Sequence, residues 1–407
     1  MRKKVYFCTS ETTFTALRRL LFILPLMFLG QLICGQEITL HREADGGGLA
    51  VDPDYIWRYN LYEHSRWGLG LAYNSDWNSS WRVVANAGYG LRDQQLKWGV
   101  GASFLLDSIH DGRLYFMATR EYATAGNRSF RYPTITDIGG LASFMSLRMS
   151  DQHSVLVGYK WRTKIVDYRT DVRLFRGGRL FDGYGPLYRK DGDSIAPENG
   201  LELSFNFISK YFRGNLVMGH TWPAQKPIVQ LVGEYDRTFR IGLFDFRCYS
   251  QVGATPPNTP YIYMFDLGGS YGSPLFFRET LLTARPVEYT ANCFVFGSLR
   301  FSLRKPLYNV YSHLFAVGSN PRPFAGLNAV WGDMWRGCVM TMADGSLVYE
   351  GLFLQPPDRG VMELFVGIDG LVRWGVADYG VAFALRPWPL EDGKPRCVLL
   401  FTAELVK

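Results

Sequence analysis

The sequence predicts an all-β chain, built as a single antiparallel transmembrane barrel of about sixteen strands, with fourteen as the alternative count. Three observations lead there. The first is composition: 407 residues, 47% apolar, 20% charged and 15% aromatic, with 43 Gly. That is too apolar for a disordered chain, and the Gly and aromatic excess suits many strands and tight turns. The second is period-two alternation. Trp67, Leu69, Leu71 and Tyr73 alternate with Gly68, Gly70, Ala72 and Asn74, and Leu201, Leu203, Phe205 and Phe207 alternate with Glu202, Ser204 and Asn206. Side chains of a strand point to opposite faces in turn, so each segment has one apolar and one polar or small face. The third separates a membrane barrel from a soluble sandwich. The segments run about ten residues, enough to cross a bilayer when tilted. Trp67, Trp77, Trp81, Trp98, Trp161, Trp222 and Trp374 sit at segment ends, where interfacial girdles lie.

From the N-terminus, Arg18 and Arg19 precede an apolar run from Leu20 to Leu29 and a small residue, Gly35. This reads as a secretory signal over 1–35, with cleavage after Gly35; the run is short for a spanning helix. Ile33 before Cys34 argues against lipidation. The charge depends on this segment. The whole chain is formally +7, but residues 1–35 hold five Lys/Arg and one acid, so 39 basic and 36 acidic side chains remain, a net +3. A strongly basic surface, and with it a nucleic-acid partner, is not expected. Residues 36–52 are expected as a short periplasmic segment and 53–407 as the barrel. The four remaining cysteines, Cys248, Cys293, Cys338 and Cys397, have no zinc spacing. Their pairing is open, with free thiols on strands the plain reading.

Strands are expected near 54–62, 66–77, 79–92, 95–108, 112–122, 140–149, 153–168, 199–209, 212–222, 226–238, 239–253, 290–304, 307–318, 360–370, 372–386 and 396–406. The long connections, 123–139, 169–198, 254–289 and 319–359, all follow odd-numbered strands. Long loops at one end and short turns at the other are the build of outer-membrane barrels, with both termini on the short-turn, periplasmic side.

The stretch Phe244–Gly253 (FDFRCYSQVG), with Pro256-Pro257, Tyr261–Phe265, Gly268–Ser270 and Arg285–Tyr289 (RPVEY), resembles the barrel half of a Bacteroidetes outer-membrane family of unknown function. Longer members of that family carry a carboxypeptidase-regulatory-like domain. Gly360–Leu371, followed by Val372 and Arg373, looks like its closing strands. Such barrels are similar to the bacterial surface antigen superfamily, which includes the central barrel of the outer-membrane assembly machinery. The resemblance covers roughly 240–386. It implies a long loop between strands eleven and twelve that folds into the lumen and sets an arginine against acidic residues of the wall. Arg285 is the implied arginine, with Pro286 where the superfamily has Gly, and Glu363 and Asp369 are its candidate partners.

Other constellations carry weaker chemistry. Gly268–Gly272 matches a nucleophile-elbow spacing around Ser270, but in a Gly/Pro-rich loop of an all-β chain, with only His313 following. No enzymatic activity is expected. The six His are scattered, so neither a metal nor any other cofactor is expected. Loop 169–198 gathers Arg173, Arg176 and Arg179 with Tyr184, a composition suited to lipopolysaccharide phosphates on an outer face; a solvated loop is the plain reading. Asp107–Ile109 and Asp193–Ile195 resemble the short O-glycosylation sequon of Bacteroidetes. Loop 319–359 is unusually apolar, with Trp331, Met334, Trp335, Met340 and Met342, and is expected to pack into the barrel mouth or meet a partner.

The expected function is that of an integral outer-membrane barrel of the assembly type, working with outer-membrane or periplasmic protein partners and contacting outer-membrane lipid. A passive or gated pore or surface antigen is the alternative, and a phospholipase-like enzyme a second one.

Overall fold

A computed structural model describes residues 38–42, 47–52, 55–60, 63–74, 80–124, 149–180, 199–222, 227–257, 263–269, 280–285, 288–304, 320–335, 340–341, 347–349, 352–374, 377–391 and 394–405. The expected signal segment 1–35 lies outside them. The chain begins with β1 (Ile38–Arg42), β2 (Gly48–Asp52), β3 (Trp57–Asn60), β4 (His64–Asn74), β5 (Trp81–Gly90), β6 (Leu96–Asp107) and β7 (Gly112–Thr124). It continues through β8 (Met149–Arg162), β9 (Val166–Leu180), β10 (Asn199–Ser209), β11 (Phe212–Trp222), β12 (Pro227–Ile241) and β13 (Phe244–Ala254). A long loop carries β14 (Phe265–Leu267) and β15 (Tyr289–Ala291) before β16 (Cys293–Leu303) and β17 (Arg322–Asp333). A second loop carries β18 (Met340–Thr341), β19 (Leu347–Tyr349) and β20 (Leu352–Leu354). The wall ends with β21 (Val361–Trp374), β22 (Ala377–Glu391) and β23 (Lys394–Leu405).

Eighteen of these strands form one sheet, each paired antiparallel to its neighbours. β2 and β3 share the same edge of β4 and make one wall position, and β1 pairs on β2 at the margin. Sixteen wall positions remain, the expected barrel. Among the described residues β23 pairs with β22 and β1 with β2.

Alternation explains the wall. β5 exposes Trp81, Val83, Ala85, Ala87 and Tyr89 and turns the residues between them inward. The outer face carries Leu69, Val100, Phe116, Val157, Val172 and Leu201, all exposed. The inner face carries buried Asn215, Gln230, Glu234, Gln251, Asn328 and Glu363. An inverted arrangement, apolar outside and polar within, satisfies a lipid-facing sheet and fails in water. Aromatic rings mark both ends of the apolar belt. Trp67, Trp98, Trp222, Trp331 and Trp388 lie exposed towards the long-loop end. Paired rings bridge neighbouring strands towards the short-turn end: Tyr73 with Trp81, Phe104 with Phe116, Trp161 with Tyr168, and Phe212 with Tyr235. Phe212 and Trp222 open and close the 11-residue β11. At about 3.3 Å per residue they are ~33 Å apart along the strand. At a tilt of ~40° that is about 25 Å of height, the thickness of an outer-membrane apolar band.

Several boundaries differ from the expected ones. Val166–Leu180 is a wall strand of its own, where a strand ending at 168 and a loop from 169 were expected. It pairs with β8 on one side and β10 on the other. Its inward residues, Asp171 and Arg173, gave it a loop-like composition, yet Val172 and Leu174 face out. The turn before it is closed by Thr163, whose Oγ1 accepts from the Ile165 and Val166 N–H groups. The strand expected at 140–149 falls almost wholly outside the described residues, and β8 takes its place beside β7 from Met149 onwards. Position thirteen is Arg322–Asp333 rather than 307–318, which lies outside the described residues. That strand accounts for part of the apolar composition of 319–359: Trp331 faces outward from it, and Met334 just beyond is buried. Hence the long stretch of chain between Leu303 and Arg322 follows an even wall position, against the expected rule. Residues 48–52, expected ahead of the barrel, pair with β4 in the wall, and Ile56 between β2 and β3 accepts from the Gly68 N–H at 3.1 Å. The other long connections, 125–148, 181–198, 255–292 and 334–360, follow odd positions as expected.

Candidate functional site

The candidate site is the contact between loop 255–292 and the inner wall. The loop starts by crossing its own ends: the Thr255 N–H donates to the Asn292 carbonyl at 2.8 Å, and Asn292 Nδ2 donates to Thr255 Oγ1 at 3.2 Å. β14 and β15 then pair, and the Leu281 N–H donates to the Gly268 carbonyl at 2.9 Å. Gly269 lies at this crossing, where an added Cβ would stand 2.2 Å from the Arg285 carbonyl oxygen. Only glycine allows backbones so close.

Three anchors hold the loop. Glu363 of β21, fully buried, accepts from the Leu282 and Thr283 N–H groups at 2.7 Å each. It also accepts from Thr283 Oγ1 and, at 3.3 Å, from Asn328 Nδ2 of β17. A carboxylate away from water needs such a set of donors. The second anchor is a clamp of opposite polarity. Arg386 of β22, also fully buried, donates from Nε to Thr283 Oγ1 at 2.8 Å. Its Nη1 donates to Glu288 Oε1 and to the Tyr289 hydroxyl, both at 3.0 Å. Arg396 of β23 donates from Nη1 to the Thr283 carbonyl and to Glu288 Oε2, both at 2.8 Å. Burial alone would raise the Glu288 carboxyl. The Arg285 N–H and the two guanidinium groups outweigh it and hold the carboxyl below the usual carboxylate range. Burial pushes the neighbouring Tyr289 hydroxyl up to about 12.

The third anchor is Tyr263. Its hydroxyl donates to Glu202 of β10, and its carbonyl accepts from Gln230 Nε2 of β12 at 2.8 Å. Its ring packs with Phe175, Val217 and Ile228. The loop therefore touches wall positions eight and ten on one side and thirteen to sixteen on the other. Positions eight and sixteen are half the sheet apart, so a loop reaching both lies across the interior. Apolar packing follows the same route. Leu282 packs against Phe324, Phe365, Ala382, Ala384, Val398 and Leu400. Phe265, Leu281 and Tyr289 pack with Tyr249, Phe294 and Phe296.

Of the residues singled out in the sequence, Glu363 meets the loop, through backbone N–H groups and the Thr283 hydroxyl. Arg285 is exposed and enters the cluster through its backbone N–H, which donates to Glu288 Oε2 at 2.7 Å. Asp369 lies six residues along β21 from Glu363, about 20 Å at strand spacing, and receives Arg300 of β16. Arg300 in turn lies over the Phe324 ring at 3.8 Å. Arg173 is not on an outer loop: it faces inward and supports Glu202 at 2.9 Å and Gln152 at 2.6 Å. Arg176 lies exposed on the same strand, on the outward face. Of the Arg179 side chain nothing is described, and Tyr184, Ser194, Ser270, His313 and Cys338 lie outside the described residues. Ser108 is exposed in the short turn between β6 and β7. Cys248, Cys293 and Cys397 are free thiols. Sequence reasoning missed Tyr263, Thr283, Glu288, Arg386 and Arg396. The available signal was Leu281, Leu282 and Ala284 around Thr283, a mostly apolar run inside a Gly/Pro-rich loop, and two arginines at inward positions of β22 and β23.

The fold and this docked loop define a class, a sixteen-position antiparallel barrel with an interior loop. Among solved structures the chain is similar to BamA from Haemophilus ducreyi, in a crystal structure lacking POTRA domains 1-3. The TM-score is 0.50 at 10% identity, over 99% of this chain and 80% of that one. It also matches CdiB from Acinetobacter baumannii, with a TM-score of 0.43 at 11% identity, over 91% of this chain and 58% of that one. No family model matches the sequence, and no curated protein matches it.

Proposed function

We propose that the chain is an integral barrel of the bacterial outer membrane, of the surface-antigen type, that assists the assembly or translocation of outer-membrane proteins or surface molecules together with a partner. The observation that carries this reading is the docked loop. Buried hydrogen bonds and apolar packing hold 280–292 against four wall strands, and Tyr263 holds the other side. A loop fixed in this way obstructs the lumen, which an open diffusion pore does not require. The resemblance of 240–386 to the Bacteroidetes barrel family supports the same reading, as does the fold shared with BamA. The barrel carries out no catalytic step in this reading. Exposed Arg176, outward at the long-loop end, is the contact for lipopolysaccharide phosphates.

The test is depletion in the native host. If the reading holds, the protein fractionates with the outer membrane and its loss lowers the abundance of other outer-membrane barrels. Unchanged barrel abundance, together with steady ion conduction by the reconstituted wild type, would favour the pore instead.

A further inference from the structure

The short-turn end carries a cationic site on the outward face that the lumen reading leaves unused. Along β12 the residues Ile228, Gln230 and Glu234 are buried inward, whereas Val229, Leu231 and Arg237 are exposed. Arg237 therefore stands on the same outer face as the apolar belt. Its neighbours are aromatic. The guanidinium lies 4.8 Å from the centre of the Tyr211 ring and 4.6 Å from that of Phe239. Lys210, exposed in the turn between β10 and β11, places its ammonium 5.1 Å from the same Tyr211 ring.

The two cations thus share one ring, in a girdle continued by Phe212 with Tyr235 and by Phe239, Phe246 and Phe301. The nearby acids are engaged elsewhere: Asp236 with Arg247 at 2.7 Å and Asp245 with Arg304 at 3.3 Å. Among the described residues no carboxylate pairs with Arg237 or Lys210. A hydrogen bond from Lys210 draws the Tyr211 hydroxyl below its usual value, and the charges of Lys210 and Arg237 add to this. Two unneutralised cations at the edge of a lipid-facing belt lie at headgroup depth, where an arginine is tolerated and a phosphate is within reach. The rings fix the guanidinium plane, which leaves its N–H edge to an oxyanion.

We propose that Arg237 and Lys210, held by Tyr211 and Phe239, bind the phosphate of an anionic phospholipid in the leaflet at the short-turn end. The site rests on the reading that the apolar belt faces lipid. It is separate from the lumen and from Arg176, which lies at the opposite end. Phosphate is the shared chemistry of lipid headgroup and free ion, and the glycerolipid is favoured because the rings around the cations, Phe239 and Phe246, offer acyl-chain contact.

The test uses the full barrel refolded in detergent, with native mass spectrometry of bound lipid and three probes: phosphatidylglycerol, phosphatidylcholine and inorganic phosphate. The expected result is one saturable phosphatidylglycerol adduct, with about tenfold weaker binding in Arg237→Gln and in Lys210→Gln, partial retention in Arg237→Lys, and no displacement by millimolar inorganic phosphate. Equal phosphatidylglycerol occupancy in wild type and the double variant, or displacement by the free ion, overturns it. Heat-modifiable gel mobility confirms that each variant is folded. Insertion into phosphatidylcholine vesicles separates the two readings. A barrel that inserts but shows no difference between wild type and variant sinks only the lipid site, whereas a barrel that never inserts sinks the membrane reading as well.

Discussion

Glu288→Ala is the sharpest perturbation of the docked loop. The carboxylate is 13% exposed and meets Arg386, fully buried, at 3.0 Å and Arg396, 17% exposed, at 2.8 Å. Removing it leaves two guanidinium groups facing each other's field in a poorly hydrated interior. Breaking a buried pair by deleting one partner costs about 3–5 kcal/mol. At about 1.4 kcal/mol per factor of ten, that shifts loop docking towards the undocked state by ~10²–10³·⁵-fold. Glu288→Gln keeps the acceptor oxygen and loses the charge, so it falls in between. Arg285→Ala is the internal control. Its side chain is exposed, and the N–H that reaches Glu288 belongs to the backbone, so a clearly smaller shift than that of Glu288→Ala is expected. The assay is single-channel conductance in planar bilayers, with limited proteolysis of the loop from the long-loop side. Wild type and Arg285→Ala should stay closed and resistant, and Glu288→Ala should open and be cut within 280–292. Equal conductance and cleavage in Glu288→Ala and wild type would refute the clamp. A larger effect from Arg285→Ala than from Glu288→Ala would show that the loop is held as the sequence resemblance implied.

Three further outcomes follow from the same geometry. Because the Glu288 carboxyl is held below its ordinary value, its contribution is fully present above the unfolded value of about 4.3 and is lost as pH falls through the lower folded value. Conductance should therefore stay low at pH 7 and pH 5 and rise only under stronger acid, and Glu288→Gln should flatten that response. Gly269→Ala puts a methyl group into the Ala284 and Arg285 carbonyls, at 2.4 and 2.2 Å, so the crossing must open; faster proteolysis of the loop with an intact wall, read by heat-modifiable mobility, is the expected result. Val157→Arg places a charge on the exposed outer face of β8 and should cost roughly 2–4 kcal/mol in urea titrations from lipid vesicles, whereas Ser154→Arg, on the other face of that strand, should cost clearly less.

The wall was legible because lipid and lumen impose opposite demands on alternate residues. β4 and β10 can be read off the alternation of their apolar side chains, Trp67, Leu69, Leu71 and Tyr73 in one and Leu201, Leu203, Phe205 and Phe207 in the other. β9 was not legible, because Asp171, Arg173 and Phe175 mix charge and bulk on its inward face, and a strand whose polar face is charged reads as a solvated loop. β17 was hidden for a related reason: alternation within Arg322–Asp333 is blurred by small residues, Ala325, Gly326 and Ala329, so only its ladders to β16 and β21 locate it. At the site, Glu363 is the member of the implied trio Arg285, Glu363 and Asp369 whose side chain holds the loop, and Arg285 enters through its backbone N–H, while the guanidinium groups that clamp Glu288 come from β22 and β23.

By itself the sequence determined the class of the molecule: an all-β chain of membrane-barrel type, apolar belt outside and polar lining within, with the placing of two wall strands left to the ladders. These are local properties, since the period of two and the girdle residues are written along each segment. Tertiary structure alone decided which charges meet. Thr283 and Arg386 are 103 residues apart in sequence and bonded at 2.8 Å in space. Such a pairing depends on strand register and on the path of a loop across the lumen, and neither leaves a periodic trace in the chain. The clamp, with arginines on the wall and the carboxylate on the loop, has the opposite polarity to the loop arginine and wall carboxylates that the resemblance implied, and only the approach of β22 and β23 to Glu288 reveals it.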